Sequence, residues 1–149
     1  MTSCPMEDRL ALEDLTVAYA HAVDTMGNVD GICACFTEDA DYDLSGIGMP
    51  CVKGRAGIRE LYTALFATNT HHAHFLSNFA VTAYGGDTAS VRTYVNGHAR
   101  GKDGTSVNVM GRYYFDAVRT PEGWRFARYT MDFMMPLPGG LPTGSENNQ

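Results

Sequence analysis

Basic residues are scarce in this chain: eleven Lys and Arg stand against seventeen Asp and Glu, a formal charge of −6. No run of them offers a phosphate backbone a footprint, which argues against nucleic acid as a partner. Long apolar runs are missing as well. No stretch approaches the roughly 20 residues that a membrane-spanning helix needs, so no membrane partner is expected. The four cysteines are Cys4, Cys33, Cys35 and Cys51. Cys33-Ala34-Cys35 lacks the two-residue gap of a redox or zinc motif, and no second pair completes a metal site. They read as reduced, buried thiols of a cytosolic protein. Glu7 and Asp8 precede any apolar segment, so no secretory signal is expected and the expected location is the cytoplasm.

What is present suits one soluble domain spanning 1–149. The composition is 44% hydrophobic and 19% charged. A chain of this length can bury roughly two-thirds of the surface it exposes when unfolded. The first helix is expected from about Glu7 to Val23, with Leu12, Leu15, Tyr19 and Ala22 at the three- and four-residue steps of one face. Gly27 supplies a stop, and Asn28 is placed to cap a short second helix through Cys35. Ala40–Leu44 alternates as a strand, which Ser45–Pro50 breaks.

A third helix starts near Gly54. Ile58, Leu61, Tyr62, Leu65 and Phe66 form its apolar stripe, while Arg59, Glu60 and Thr63 face out. The remainder reads as strands over His74–Ala83, Thr88–Arg100, Ser106–Arg119 and Trp124–Met134, joined by short Gly-, Asp- and Pro-containing turns that suit antiparallel hairpins. The tail, about 136–149, is expected to be irregular. Helices first and a strand meander afterwards imply an α+β fold, with helices on one side of a curved sheet that encloses a cone-shaped cavity.

Chemistry-bearing residues are few. Of the five histidines, His71, His72 and His74 cluster in sequence. On a strand His72 and His74 share a face while His71 points away, and the ligand count and spacing match no metal template. No metal is therefore expected, and His71 and His72 read as solvated loop residues. Alternation puts Arg92, Tyr94, Asn96 and His98 on one strand face and Val91, Thr93 and Val95 on the other. The polar face is either solvated or lines a pocket at its His98 end. Arg128 and Asp132 likewise share a face of the last strand.

Asp24 closes the first helix, where a carboxylate opposes the macrodipole. His74 opens the first strong β-like run. A carboxylate at a helix end and an imidazole at a strand start can meet inside a small α+β barrel. There the carboxylate would hold one ring nitrogen and leave the other as a general base.

Several segments together resemble the SnoaL-like branch of the NTF2-like superfamily over about Glu7 to Pro136. They are Ala22-Val23-Asp24, Phe36-Thr37-Glu38-Asp39-Ala40-Asp41-Tyr42, Lys53-Gly54, His74-Phe75 and Gly123-Trp124-Arg125-Phe126. Within it the chain is similar to the scytalone dehydratase, lindane dehydrochlorinase and bile-acid dehydratase members. The resemblance implies an Asp–His pair, matching Asp24 and His74, that works without metal or organic cofactor. It also implies roles for Tyr42 as a pocket aromatic, His98 as a second histidine, Tyr19 as a tyrosine five residues before the aspartate, and Arg128 as a basic residue on the last strand. Pocket polar residues of scytalone dehydratase fall near Asn108 and Met110. A homotrimer packed through the sheet is implied, with a dimer as the alternative.

The expected function is thus a cofactor-independent lyase, a dehydratase, acting on a small, hydrophobic, cyclic or polycyclic substrate with a carbonyl. In it Asp24, His74, Tyr19 and His98 are catalytic, while Tyr42, Arg128, Asn108 and Met110 bind substrate. An isomerase or polyketide-type cyclase needs the same proton abstraction, and a non-catalytic ligand-binding domain needs none of it. Phe75, Met110, Tyr114, Met131, Phe133 and Met134 are read mostly as core or subunit interface.

Overall fold

A computed structural model describes residues 3–137. The chain runs through α1 (Met6–Asp24), α2 (Val29–Ala34), β1 (Phe36–Asp43), a 3₁₀ turn (Ser45–Ile47), β2 (Cys51–Lys53) and α3 (Gly54–Thr68). Then come β3 (Asn69–Tyr84), β4 (Thr88–Gly101), β5 (Ser106–Thr120) and β6 (Gly123–Phe133). The strands form one sheet in the order β2-β1-β6-β5-β4-β3, antiparallel except where β1 runs parallel to β6. The sheet is curved and unclosed, with β2 and β3 at its edges, and the three helices pack on it. Among the described residues no helix is long and apolar enough to cross a membrane. The expected irregular tail, about 136–149, lies outside the described residues except for 136 and 137.

The helices follow from local chemistry. Leu12, Tyr19 and Ala22 of α1 are buried as the stripe predicts, while Leu15 is half-buried. The Asn28 side chain accepts the Gly31 N–H and caps α2. In α3, Ile58 and Tyr62 are buried and Arg59, Glu60 and Thr63 exposed. Gly54 starts that helix at φ +67, where a Cβ would sit 2.8 Å from the Glu38 carbonyl oxygen. The Lys53-Gly54 step therefore needs glycine both for its backbone and for its room.

One sheet face alternates toward the helices. Val91, Thr93, Val95 and Gly97 of β4, then Gly111, Tyr113, Phe115 and Ala117 of β5, are all buried. Stacked Phe115 and Phe126 (ring centroids 3.9 Å apart) and Tyr42 and Tyr129 (4.3 Å) fill the centre. Each such buried ring contributes roughly 1.5–3 kcal/mol by removal from water.

Two sequence expectations need correction. β3 begins at Asn69, not His74, because Asn69 to Ala73 pair with the end of β4; His71 and His72 are strand residues, not loop residues. Just after the stretch read as a break, Cys51–Lys53 forms a short strand on β1 that no expectation covered. β1 itself starts at Phe36, which pairs with Phe126 before a bulge and then Asp41 with Arg128.

Candidate active site

Asp24, the last residue of α1, meets His74 on β3. Asp24 Oδ2 accepts the His74 backbone N–H at 2.8 Å, and Oδ1 lies 2.6 Å from His74 Nδ1. An ionised carboxylate accepts only, so Nδ1 carries a proton, and in the neutral ring Nε2 holds the lone pair. The Asp24 and His74 side chains are 27% and 17% exposed. Two donors from β3 offset the unfavourable position of a carboxylate at a helix C-terminus.

The imidazole lies over Gly97, the cross-strand partner of His74. A Cβ there would fall 3.2 Å from His74 Cδ2 and 3.4 Å from Nε2. The missing side chain at 97 is therefore the seat of the ring. Beside it, His72 shares the same face. Its Nδ1 lies 3.2 Å from the Val23 carbonyl and its Nε2 2.9 Å from the Asn69 amide nitrogen. Its ring packs edge-on to His74 (6.0 Å) and tilted against Phe66 (5.7 Å). Burial is the main cause that lowers its pKa below the ordinary histidine value.

Below the histidines, three tyrosine hydroxyls close a triangle. Tyr19 and Tyr42 are 2.5 Å apart, Tyr19 and Tyr62 2.7 Å, and Tyr42 and Tyr62 2.6 Å. In such a ring each hydroxyl donates once and accepts once, and each keeps a lone pair. Tyr113 and Tyr129 pack around it. Burial pushes all five phenols above the ordinary tyrosine range, so they stay protonated donors. Tyr62 packs against Phe66 (5.8 Å), whose ring packs in turn against His72, which connects the cluster to the histidine face.

Four expected site residues lie elsewhere. His98 pairs with Ala73 and Asn108, and Met110 with Asn96, so all project from the outer sheet face, opposite His74. His98 packs edge-on to the exposed Phe75 there. Asn108 is exposed and Met110 is 43% exposed. Arg128 is exposed and lies 3.4 Å from Asp43. The physical reason is strand parity: each sits one residue out of step with the face that holds Asp24 and His74. His71, His98, Arg100 and Asn108, together with His72, border a cleft of about 570 Å³. Among the described residues no group of three His, Cys, Asp or Glu side chains is arranged to hold a metal ion.

Sequence reasoning overlooked Tyr62, His72 and Gly97. A tyrosine inside the otherwise apolar stripe of α3 was the available signal for the first, since a buried phenol needs a partner. His72 carried its signal in sharing a strand face with His74. Gly97 carried none without the register.

Comparison with known proteins agrees with this architecture. The profile of the SnoaL-like domain matches residues 5–130. The chain is 35% identical over 126 residues to the uncharacterised protein Rv2910c of Mycobacterium tuberculosis, covering 83% of each chain. It is similar to the crystal structure of a candidate aromatic ring hydroxylase from Novosphingobium aromaticivorans, with 59% identity, TM-score 0.91, and 93% and 96% of the two chains covered. The fold also matches that of a hexachlorocyclohexane dehydrochlorinase (LinA type 2) at 16% identity, TM-score 0.78, covering 96% and 97%.

Proposed function

Because the chain belongs to the SnoaL-like family of the NTF2-like superfamily, whose fold serves small-molecule-converting enzymes, we propose that it is a cofactor-independent lyase. Its reaction is the dehydration of a ring-bearing carbonyl compound. The observation that carries this reading is the pair of hydrogen bonds from His74 to Asp24, which leaves His74 Nε2 as a free base at a partly exposed position. His74 removes a proton α to the carbonyl, and Asp24 fixes the tautomer and stabilises the imidazolium that forms. Tyr19, Tyr42 and Tyr62 supply protonated hydroxyls for the developing enolate or the leaving hydroxyl, once a ligand exchanges for one bond of their triangle. Removing such a donor costs on the order of a hundredfold in rate.

The name of the Novosphingobium relative favours an aromatic or ring substrate, and isomerisation or cyclisation of one by the same proton abstraction is the second reading. The outer sheet face, which leaves Phe75, Met110 and Met135 exposed, is proposed as the surface for self-association into a homo-oligomer, and we propose the cytoplasm as the protein's location.

Proton abstraction is tested without knowing the substrate. The protein is incubated with 2-tetralone in D₂O, and deuterium gained α to the carbonyl is read by mass spectrometry. Asp24→Asn and His74→Ala are each expected to lose on the order of a hundredfold or more of the catalysed exchange. Exchange near the wild-type rate in both variants rules the pair out. A panel of cyclic β-hydroxy ketones then separates the outcomes. Loss of one water supports the lyase, and an unchanged mass with a rearranged product supports an isomerase or cyclase.

A further inference from the structure

We propose that His72 is a positioning residue of the Asp24–His74 pair: a neutral imidazole, protonated on Nδ1 only, that ties the last turn of α1 to β3. Its neutrality leaves His74 as the imidazole of this face that takes up charge. The catalytic consequence rests on the proton-abstraction reading above; the geometry of His72 does not.

Both ring nitrogens are assigned by what they face. Val23 O is a carbonyl and accepts only, so Nδ1 donates across the 3.2 Å contact. The Asn69 amide nitrogen donates, so Nε2, 2.9 Å away, holds a lone pair. Together the two contacts describe a neutral ring in the Nδ1–H tautomer. The titratable groups that face it are His74 on its own strand and Asp24 on α1, while Phe66 of α3 covers it with an uncharged ring. Burial is the largest influence and disfavours charge on the ring. The Val23 carbonyl opposes that effect, His74 adds to it, and the Asp24 carboxylate opposes it least.

The placement explains why Asp24 can stand where it does. Val23 and Asp24 are the last two residues of α1, and terminal helix carbonyls have no partner within the helix. His72 and His74, two apart on β3 and so on one face, grip those two residues in turn. His72 Nδ1 holds the Val23 carbonyl, and the His74 N–H and Nδ1 hold the Asp24 carboxylate. Three hydrogen bonds thus fix the helix end against the strand. A charged His72, its ring centroid 6.0 Å from that of His74, would oppose proton uptake by the base.

Long-range ¹H–¹⁵N correlation on the ¹⁵N-labelled full chain, followed across pH 5–8, tests this directly. The expected result is His72 with its proton on Nδ1 and a midpoint below the ordinary value of about 6.5. A proton on Nε2, or titration at or above that value, overturns the proposal. His72→Asn keeps a neutral donor for the Val23 carbonyl, whereas His72→Phe keeps a ring and removes the donor. The downfield His74 Nδ1–H resonance is expected to persist in His72→Asn and to lose more than half its intensity in His72→Phe. Equal His74 signals in the two variants overturn the positioning role. Should His72→Phe fail to fold, the wild-type tautomer and titration decide. If wild-type protein exchanges no deuterium into 2-tetralone while His72 shows the expected tautomer, the proton-abstraction reading fails and the placement of His72 stands.

Discussion

Gly97→Ala tests the seat of the base with a single methyl group. Gly97 lies in ordinary strand backbone, opposite His74 and between Val95 and Ala99, so alanine adopts the required conformation. Its Cβ would lie 3.2 Å from His74 Cδ2 and 3.4 Å from Nε2, closer than ordinary carbon contacts of about 3.5–4.0 Å. The ring must yield by a few tenths of an ångström. Nδ1 is held at 2.6 Å by Asp24, so the ring pivots about that end and Nε2, the proposed base, moves farthest. A misplacement of about 1 Å can cost a hundredfold, so this smaller shift should cost roughly tenfold in deuterium exchange on 2-tetralone.

Stability should change by less than about 1 kcal/mol. Glycine replacement restricts the unfolded chain and stabilises, while the crowded methyl destabilises by a similar amount. A thermal melt alongside the exchange assay separates the two effects. Wild-type exchange in a normally folded Gly97→Ala protein refutes the idea that the glycine positions the base. A rate loss accompanied by a melting-temperature drop of roughly ten degrees or more points to general damage instead.

Two further predictions concern the rest of the molecule. Asp8 is nearly buried and accepts from Tyr84 (2.6 Å), Arg119 (2.9 Å) and Trp124 (3.1 Å), tying the start of α1 to the far end of the sheet. Asp8→Ala strands these donors and should cost about 3 kcal/mol, a fall of roughly 6–12 °C by calorimetry. The Arg119 hydrogen bond, then that of Tyr84, lowers the Asp8 carboxyl from 3.8 to about 2. A folded value below the unfolded one stabilises fully above 3.8 and is lost as pH falls toward 2. Denaturant unfolding of Asp8→Asn should therefore vary less with pH in that window than wild type, and equal slopes would overturn the assignment. On the outer face, Met110→Asp places a charge among Phe75 and Met135. It should reduce a homo-oligomer to monomer by light scattering, whereas a monomeric wild type, or an unchanged assembly, removes self-association from this face.

The layout of helices and strands was legible because local periodicity dictates it. The stripe of α3 and the Asn28 cap gave boundaries within a residue or two. The start of β3 was not legible: Asn69-Thr70-His71-His72-Ala73 carries no apolar alternation and is a strand because β4 supplies its partners.

The site shows the same division. That Arg92, Tyr94, Asn96 and His98 share a face could be read from β4 alone, and they do. Which β4 face belongs with His74 depends on a register that pairs His74 with Gly97, and a slip of one residue exchanges the faces. His98 therefore looked like a neighbour of His74 and is instead on the outside with Phe75, along with Asn108 and Met110. The same parity puts His72, first read as solvent-facing, beside the base, and puts a glycine where a side chain would have displaced it. Residue types pointed to the Asp24–His74 contact, and the pairing of β3 with β4 selected which residues attend it.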